Sequence, residues 1–350
     1  PERPPGSAGD QRSVEWVMRE LGDVPGRGAG RVRRQDFAVR TPAGRVTTSN
    51  VYLALPSQSG AGDGRGILVV APRDTPPGVH GGESSSAVLV QLARTFAAAA
   101  HDRPLFFVST GASTLGNAGI SWFLSRFGSV PIAGAVVLDA PGETSGPVVH
   151  VWDAGRVDRQ ALGMNTAATQ AVRGVGGRVV DDEGTWAQVA RMAVPQTVGD
   201  QGVLIARGIP AVALSSRHES PLTNRDGPSD DERLRLVGSA AEELVASLDG
   251  LDEVPAPSGA VAIGGRELRP AMARIALLLL ALPVLVAAAD MLRRLRRARV
   301  RMGPPLADLA WRALPALAAL AGLYLLSLAG LVPVPAGGAP PYAGEVPFDA

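Results

Sequence analysis

Three short apolar runs mark the first two-thirds of the chain, at Gly66–Ala71, Leu105–Ser109 and Ala133–Asp139. Runs of this length with little polar interruption are typical of strands that are covered on both faces. Residues 84–100 and 116–127, which lie between them, are predicted to be helices. Strands that alternate with helices predict an α/β fold with a mostly parallel or mixed central sheet and helices on both faces.

The same alternation continues on either side of these runs. Ser13 is expected to cap a helix that ends near Leu21. Further elements are predicted at residues 36–39, 50–55, 148–152, 158–172, 185–192, 211–214 and 231–248. Residues 1–12 are rich in proline, glycine and charge, so they are predicted to be disordered. The α/β domain is therefore expected to span residues 13–250.

Beyond a Pro/Gly/Ala-rich linker at 251–269, the chain becomes much more apolar. Residues 275–289 and 313–334 carry no charged side chain, and about 20 such residues suffice to cross a bilayer. Six arginines lie within residues 293–301, between the two stretches, and such clusters stay on the cytoplasmic side. We predict transmembrane helices at 270–290 and 306–334, an Arg-rich cytoplasmic loop at 291–305 and an extracytoplasmic tail at 335–350. A buried core helix is the alternative for the first span.

The composition excludes several kinds of site but does not indicate a particular function. The chain has 350 residues, no cysteine and no lysine, so disulfides, zinc–thiolate sites and thiol nucleophiles are excluded. Abundant Arg, Ala, Gly and Pro indicate a GC-rich genome, such as an actinobacterial one. Because of this bias, clusters such as Arg31, Arg33 and Arg34 give only a weak argument for a functional site. The net charge of +1 gives no argument for a nucleic-acid partner.

Five short motifs follow one another in a recognisable order. They are Asn50–Pro56, Ile67–Thr75, Gly111–Gly116, Val137–Gly142 and Gly208–Val212. In their order and spacing, residues 14–248 resemble the family-28 zinc aminopeptidases, whose fold is also seen in glutaminyl cyclases and transferrin-receptor-type ectodomains. The resemblance implies a zinc-exopeptidase-like fold with a two-zinc centre at one edge of the sheet.

Most positions that would hold those metals carry other residues in this chain. By the resemblance, the first histidine ligand, the general base, a glutamate ligand and the last histidine ligand are replaced by Pro72, Ser113, Thr114 and Leu222. The bridging aspartate falls near His80 or Gly81, and Asp139 alone is clearly kept. Because a two-zinc centre needs a bridging carboxylate and further ligands on each ion, we predict no bound metal and no catalytic residue.

Several polar residues are nevertheless expected at the rim of the same crevice: Asp74, His80, Glu83, Ser113, Thr114, Asp139, Asp200 and His218. A rearranged mononuclear zinc site built on Asp139 and His80 is the alternative, with Glu83 close by and His218 and Glu219 at the same rim. Without metal, Asp139 is expected to cap a neighbouring turn. Asp200 is expected to have a structural role.

Two other chemistries are excluded by their local patterns. Ser84, Ser85 and Ser86 open a helix, but they lack the Gly-x-Ser-x-Gly elbow of serine hydrolases, so we interpret them as helix caps. The glycine-rich segment at 78–82 lacks the Gly-Lys-Ser/Thr ending of a phosphate-binding loop.

A peptidase-like domain followed by membrane helices resembles the peptidase-like subunit of the glycosylphosphatidylinositol transamidase, which acts within an assembly. We therefore expect a membrane-anchored, multi-pass, catalytically inactive protein with a binding or scaffold role in a membrane complex. Its α/β domain is expected outside the cytoplasm, with a protein partner or a peptide or lipid-linked ligand and no cofactor. The alternatives are a metal-dependent aminopeptidase with zinc in a rearranged site, and a component of a membrane transport or biosynthetic complex.

Overall fold

The chain divides into two compact units, residues 1–260 with 335–350, and residues 261–334. The computed structural model describes residues 2–25, 30–41, 44–60, 64–79, 82–127, 131–142, 148–152, 154–156, 159–179, 197, 199–217, 219, 230–256, 261–263, 266–268 and 270–297, with short helical pieces between 311 and 322. The element predicted at 185–192 lies outside these residues.

The first unit alternates strands and helices along the chain. Its helices are α1 (Ala8–Gly22), α2 (Ser84–Ala98), α3 (Ala118–Arg126), α4 (Leu162–Gly174), α5 (Asp200–Ala206) and α6 (Asp231–Asp249). Its strands are β1 (Arg33–Thr41), β2 (Gly44–Leu55), β3 (Gly66–Pro72), β4 (Leu105–Thr110), β5 (Ile132–Asp139), β6 (Val148–Trp152), β7 (Ala154–Arg156), β8 (Arg159–Gln160), β9 (Arg178–Val179) and β10 (Ala211–Ser215).

Eight of these strands form one mixed sheet in the order β1-β2-β4-β3-β5-β10-β6-β9. The four central strands β4, β3, β5 and β10 are parallel to one another. β2 is antiparallel to β4, and β6 is antiparallel to β10. Since parallel strands end on the same side, the segments that follow Pro72, Thr110, Asp139 and Ser215 meet at one edge of the sheet. The predicted mixed α/β fold is confirmed.

Consecutive fully buried residues show that the central strands are covered on both faces. Ile67, Leu68, Val69 and Val70 of β3 are all 0% exposed, although neighbours in a strand point to opposite faces. Leu89 and Leu92 of α2 and Leu244 of α6 belong to the same core. Burying one such side chain stabilises the fold by roughly 1.5–3 kcal/mol relative to leaving it exposed. The apolar runs in the sequence therefore correspond to the centre of the core.

The N-terminal segment differs from the prediction of disorder over residues 1–12. Helix α1 begins at Ala8, and the side chain of Ser7 accepts a hydrogen bond from the main-chain amide of Asp10. The predicted cap at Ser13 is therefore wrong, because this residue lies inside the helix. Asp10 contributed to the prediction of disorder because it is charged. In the structure it is only 1% exposed, and its partners lie far away along the chain.

In the second unit, the described residues form a β-hairpin and a long helix. Strands β11 (Val261–Ile263) and β12 (Arg266–Leu268) pair antiparallel within the predicted linker. Helix α7 (Pro270–Arg297) continues through the first residues of the predicted Arg-rich loop. Among the residues that the structure describes, no helix combines the length and apolar character needed to cross a membrane. The transmembrane prediction for 270–290 is thus not confirmed, and most of 306–334 lies outside the described residues.

Candidate functional site

The loops after β3 and β4 are held together by one buried carboxylate. Asp74 follows the end of β3 by two residues, and its side chain accepts three hydrogen bonds. The main-chain amides of Ser113 and Thr114 donate at 2.9 Å each, and the Thr114 hydroxyl donates at 2.6 Å. Burial raises the pKa of Asp74, while these three donors act in the opposite direction. Ser113 and Thr114 therefore bind Asp74, where the resembling enzymes would have a base and a metal ligand.

Asp200, the first residue of α5, contacts the same loop from the other side. Its Oδ2 accepts hydrogen bonds from the hydroxyls of Thr110, at 2.7 Å, and Ser113, at 3.3 Å. Burial raises the pKa of Asp200 from 3.8 to about 7, and the negative charges of Asp74 and Asp139 add to this effect. Ser113 thus bridges two buried carboxylates, one through its amide and one through its hydroxyl.

Backbone conformation at this edge is unusual at two alanines. Ala112 follows β4 with φ 55°, and Ala140 follows β5 with φ 46°. A residue with a Cβ is disfavoured in this left-handed region by roughly 1–2 kcal/mol. Such strain is concentrated at ligand and active sites in proteins generally. The two loop starts therefore have a backbone conformation that is common at functional sites.

Asp139, which the resemblance implies to be a kept ligand position, forms an ion pair with an arginine of the chain itself. Its Oδ2 lies 3.0 Å from Nη2 of Arg217, two residues after the end of β10. The exposed side-chain fractions are 18% for Asp139 and 7% for Arg217. The Arg217 Cζ lies 5.8 Å from the ring centroid of Trp152, within the range of a cation–π contact. Asp139 thus belongs to a largely buried ion pair that the sequence analysis did not anticipate.

The N-terminal segment lies against the loop that follows β3. The main-chain amide of Arg3 donates to the Thr75 hydroxyl at 2.9 Å, and the amide of Thr75 donates to the Arg3 carbonyl at 3.1 Å. The Arg3 guanidinium donates to the Arg73 carbonyl at 2.8 Å and lies 3.4 Å from Glu83. Glu83 is 56% exposed and therefore belongs to the outer rim of the site.

Two of the three serines at the start of α2 hold the loop after β5. Helix α2 begins at Ser84 with Glu83 as its N-cap, and no side chain caps it through a hydrogen bond. Ser84 accepts from the amide of Gly142 at 3.3 Å, and Ser85 accepts from the amide of Ala140 at 3.0 Å. The prediction that these serines cap their own helix is therefore wrong, and their contacts position the strained turn after Asp139.

The described residues do not fit a zinc centre. Pro72, Ser113 and Thr114 supply none of the imidazole, thiolate or carboxylate groups that zinc requires. Asp139 is paired with Arg217, and both oxygens of Asp74 accept hydrogen bonds. Among the described residues, no three His, Cys, Asp or Glu side chains are grouped so that they could share a metal ion. His80, Gly81, His218 and Leu222 lie outside the described residues.

The structure brings together four of the predicted site residues and adds others that the sequence did not single out. Asp74, Ser113, Thr114 and Asp200 form one hydrogen-bonded cluster, and Glu219 accepts from Thr197 and Gln201 nearby in sequence. Arg3, Arg217 and Trp152 were missed. Arg217 lies two residues beyond the end of β10, and no local sequence pattern marks it as the partner of Asp139.

Comparison with known proteins supports the fold alone. No protein-family model and no curated protein matches the chain. Solved structures do match. The aminopeptidase from Aneurinibacillus sp. strain AM-1 superposes with a TM-score of 0.58 at 13% identity, covering 73% of this chain and 92% of that one.

Two further structures agree with this result. The zinc aminopeptidase of Bacillus subtilis gives a TM-score of 0.55 at 11% identity, covering 70% of this chain and 90% of its own. The glutaminyl cyclase of Fimbriiglobus ruber gives 0.50 at 17% identity, covering 70% and 89%. The first unit therefore has the fold of zinc aminopeptidases, and identities this low establish no more than the fold.

Proposed function

We propose that this chain is an aminopeptidase-like protein that binds a peptide or protein partner without hydrolysing it. The ion pair between Asp139 and Arg217 is the observation that carries this proposal. In the resembling enzymes, the carboxylate at this position balances the charge of a zinc ion. Here a guanidinium balances it instead, and a zinc ion would first have to displace a largely buried arginine.

The described residues around this pair also argue against hydrolysis, because they offer neither a site for a metal-bound water nor a base. Hydrolysis by such a centre needs a metal-bound water and a base to take its proton. Ser113 stands at the position of that base, and its hydroxyl and amide contact Asp200 and Asp74. A hydroxyl with a pKa far above 7 is a poor general base. Binding requires neither the metal nor the base, only the crevice at the carboxyl ends of the parallel strands.

Attachment to a membrane is a separate part of the proposal. The uncharged stretches at 275–289 and 313–334, with six arginines at 293–301 between them, support it. Large apolar side chains on α7 are also exposed, as expected for a helix that needs another apolar partner: Met272, Ile275, Leu278, Leu279, Leu282, Leu285, Val286 and Met291. In this arrangement the α/β unit lies outside the cytoplasm and takes part in a membrane complex.

Metal content and hydrolysis test the central claim directly. The purified chain is incubated with zinc, dialysed, and assayed for bound metal and for cleavage of aminoacyl-amide substrates. We expect less than about 0.1 zinc per chain and no cleavage above the buffer rate, because the described ligand positions are filled by Pro72, Ser113 and Thr114.

A zinc content above about 0.5 per chain would contradict the proposal, provided that chelation and Asp139→Ala both abolish cleavage. That result would support the metal-dependent aminopeptidase with a rearranged site. Pull-down with and without residues 270–334 separates the remaining alternative. If partners are lost only when these residues are removed, the membrane part carries the function.

A further inference from the structure

Positive charge is concentrated on one hairpin of the sheet. Residues 30–55 contain five arginines, at positions 31, 33, 34, 40 and 45, and a single acid, Asp36. Their formal charge is therefore 5 − 1 = +4, whereas the whole chain carries +1. All five arginines are exposed, and Asp36 pairs with Arg34 at 2.7 Å. The genomic preference for arginine explains the residue type, but it does not explain an excess of one sign at one place.

This hairpin includes an edge of the eight-stranded sheet. β1 pairs only with β2, in unbroken register from Arg33 opposite Tyr52 to Thr41 opposite Gly44. Among the described residues, no main-chain group of β1 forms a backbone hydrogen bond other than those with β2. Phe37 stacks on Trp122 of α3, so one face of β1 is covered while its outer edge is not. Nine residues of extended backbone are thus presented along this edge.

Two of the arginines are placed against each other. Arg40 and Arg45 are direct cross-strand partners, and like charges in that arrangement destabilise a hairpin. Within the described part of the chain, no acidic side chain pairs with either of them. An external negative charge would relieve this repulsion, so the hairpin is a complementary surface for an anionic ligand.

We propose that β1 is the docking edge for an extended, acidic segment of a partner protein, which adds to the sheet as a further strand. A peptide strand satisfies both features, because its main chain pairs with the open edge and its carboxylates meet the arginines. Lipid headgroups or nucleic-acid phosphates would meet the arginines but leave the backbone edge unpaired. The proposal is independent of the crevice at the carboxyl ends of β4, β3, β5 and β10.

A designed peptide tests this without knowledge of the natural partner. The probe has about ten residues that alternate Glu with Val or Thr, which is near the upper end of usual strand lengths and is enough to pair along the 9 residues of β1. We expect it to bind the full chain in a salt-dependent manner and to slow hydrogen exchange of amides within residues 33–41. The same peptide with N-methyl groups on one edge should bind at least about tenfold more weakly, because main-chain pairing is blocked.

Two charge-reversal variants separate the hairpin from general charge effects. Arg40→Glu with Arg45→Glu should weaken peptide binding by about tenfold or more. Arg12→Glu with Arg173→Glu changes the net charge equally at exposed positions on α1 and α4, and should change binding by less than about twofold. Circular dichroism confirms that both variants fold.

Three outcomes would overturn the proposal. Equal binding of the N-methylated peptide would show a charge contact without strand addition. Binding of phosphatidylglycerol vesicles, but not of the peptide, would assign the arginines to a membrane surface. The absence of binding to either probe would leave the arginines as protection of an edge strand against aggregation.

Discussion

A largely buried ion pair lies at the edge of the sheet where the parallel strands end. Asp139 ends β5, and Arg217 follows β10, the neighbouring parallel strand. The two side chains meet because both strands end at the same edge of the sheet. A buried pair of this kind adds little net stability over an apolar pair, but removing one partner leaves the other charge without compensation.

We predict that Arg217→Gln lowers the free energy of unfolding by about 2–4 kcal/mol, less than for a fully buried pair because Asp139 keeps some exposure. Arg94→Gln is the matched control, since Arg94 pairs with Glu20 at 2.7 Å with 41% and 24% of the two side chains exposed. That change should cost less than about 1 kcal/mol. Urea denaturation measures both, and equal losses would show that the Arg217 pair has no special role.

The second residue-scale prediction concerns pH. Burial raises the pKa of Asp200 to about 7 in the fold, against 3.8 for the ordinary carboxyl. The folded state therefore binds a proton more tightly than the unfolded state, and stability from this group falls as pH rises from about 4 to about 7. Asp200→Asn removes this dependence while keeping an oxygen that accepts from Thr110.

We expect Asp200→Asn to gain about 2–4 kcal/mol relative to the wild type between pH 4 and pH 8, measured by urea denaturation. Asp36→Asn should behave oppositely. The Ser49 hydroxyl and then Arg34 lower the pKa of Asp36, so its contribution is present above 3.8 and lost on acidification. Because Asp36 is exposed, Asp36→Asn should lower the free energy of unfolding at pH 8 by less than about 1 kcal/mol. A flat difference for Asp200→Asn would contradict the raised pKa.

At the scale of elements, the local sequence pattern was sufficient to predict the strands whose consecutive residues are all buried. β3, β5 and β10 were predicted within one residue at either end, because short apolar runs between turn residues are typical of strands that are covered on both faces. The clustering of Asp74, Ser113 and Thr114 followed from the same reasoning, since parallel strands end together. The partner of Asp139 could not be predicted, because it depends on a loop conformation after β10.

Helix α1 shows why the N-terminal prediction failed. Asp10 and Arg73 form an ion pair at 3.2 Å, and each side chain is 1% exposed. Asp10 also accepts from the amide of Gly6 at 2.9 Å and from the Thr48 hydroxyl at 2.5 Å. Arg73 donates to the Ser109 carbonyl at 3.1 Å. The partners of Asp10 lie 38 and 63 positions away, so the local sequence shows only an isolated charge, which is typical of disordered segments.

We predict that Asp10→Asn destabilises the fold by about 3–5 kcal/mol, because it leaves the buried Arg73 charge without a counter-charge. Ser7→Ala, which removes only the cap of the same helix, should cost about 1 kcal/mol. Urea denaturation at pH 7 compares the two. If Asp10→Asn costs no more than Ser7→Ala, the pair does not anchor α1.

For the whole molecule, the extent of the eight-stranded sheet predicts that residues 1–260 fold without the rest of the chain. The eight-stranded sheet and the helices packed on it all lie within residues 1–260. A chain ending at residue 260 should therefore keep a melting temperature within a few degrees of the full chain.

The same pair of chains tests the membrane proposal. Expressed in a bacterial host, the full chain should remain in the membrane fraction after carbonate washing, whereas the chain ending at 260 should be released. Recovery of the full chain in the supernatant would contradict the anchoring proposal, and it would leave the binding role proposed for the α/β unit unchanged.

The contacts of residues 2–10 have a practical consequence for recombinant work. A designer guided by local composition would start an expression plasmid at Ser13 and discard the preceding residues as a dispensable leader. That choice deletes Arg3 and Asp10, and with them the groups bonded to Thr75 and Arg73. The shortened product would be prone to aggregate, and its low yield would be mistaken for an intrinsic property of the domain. An affinity tag is accordingly better placed after the last residue than ahead of Glu2, whose carboxylate accepts from the amide of Gly78.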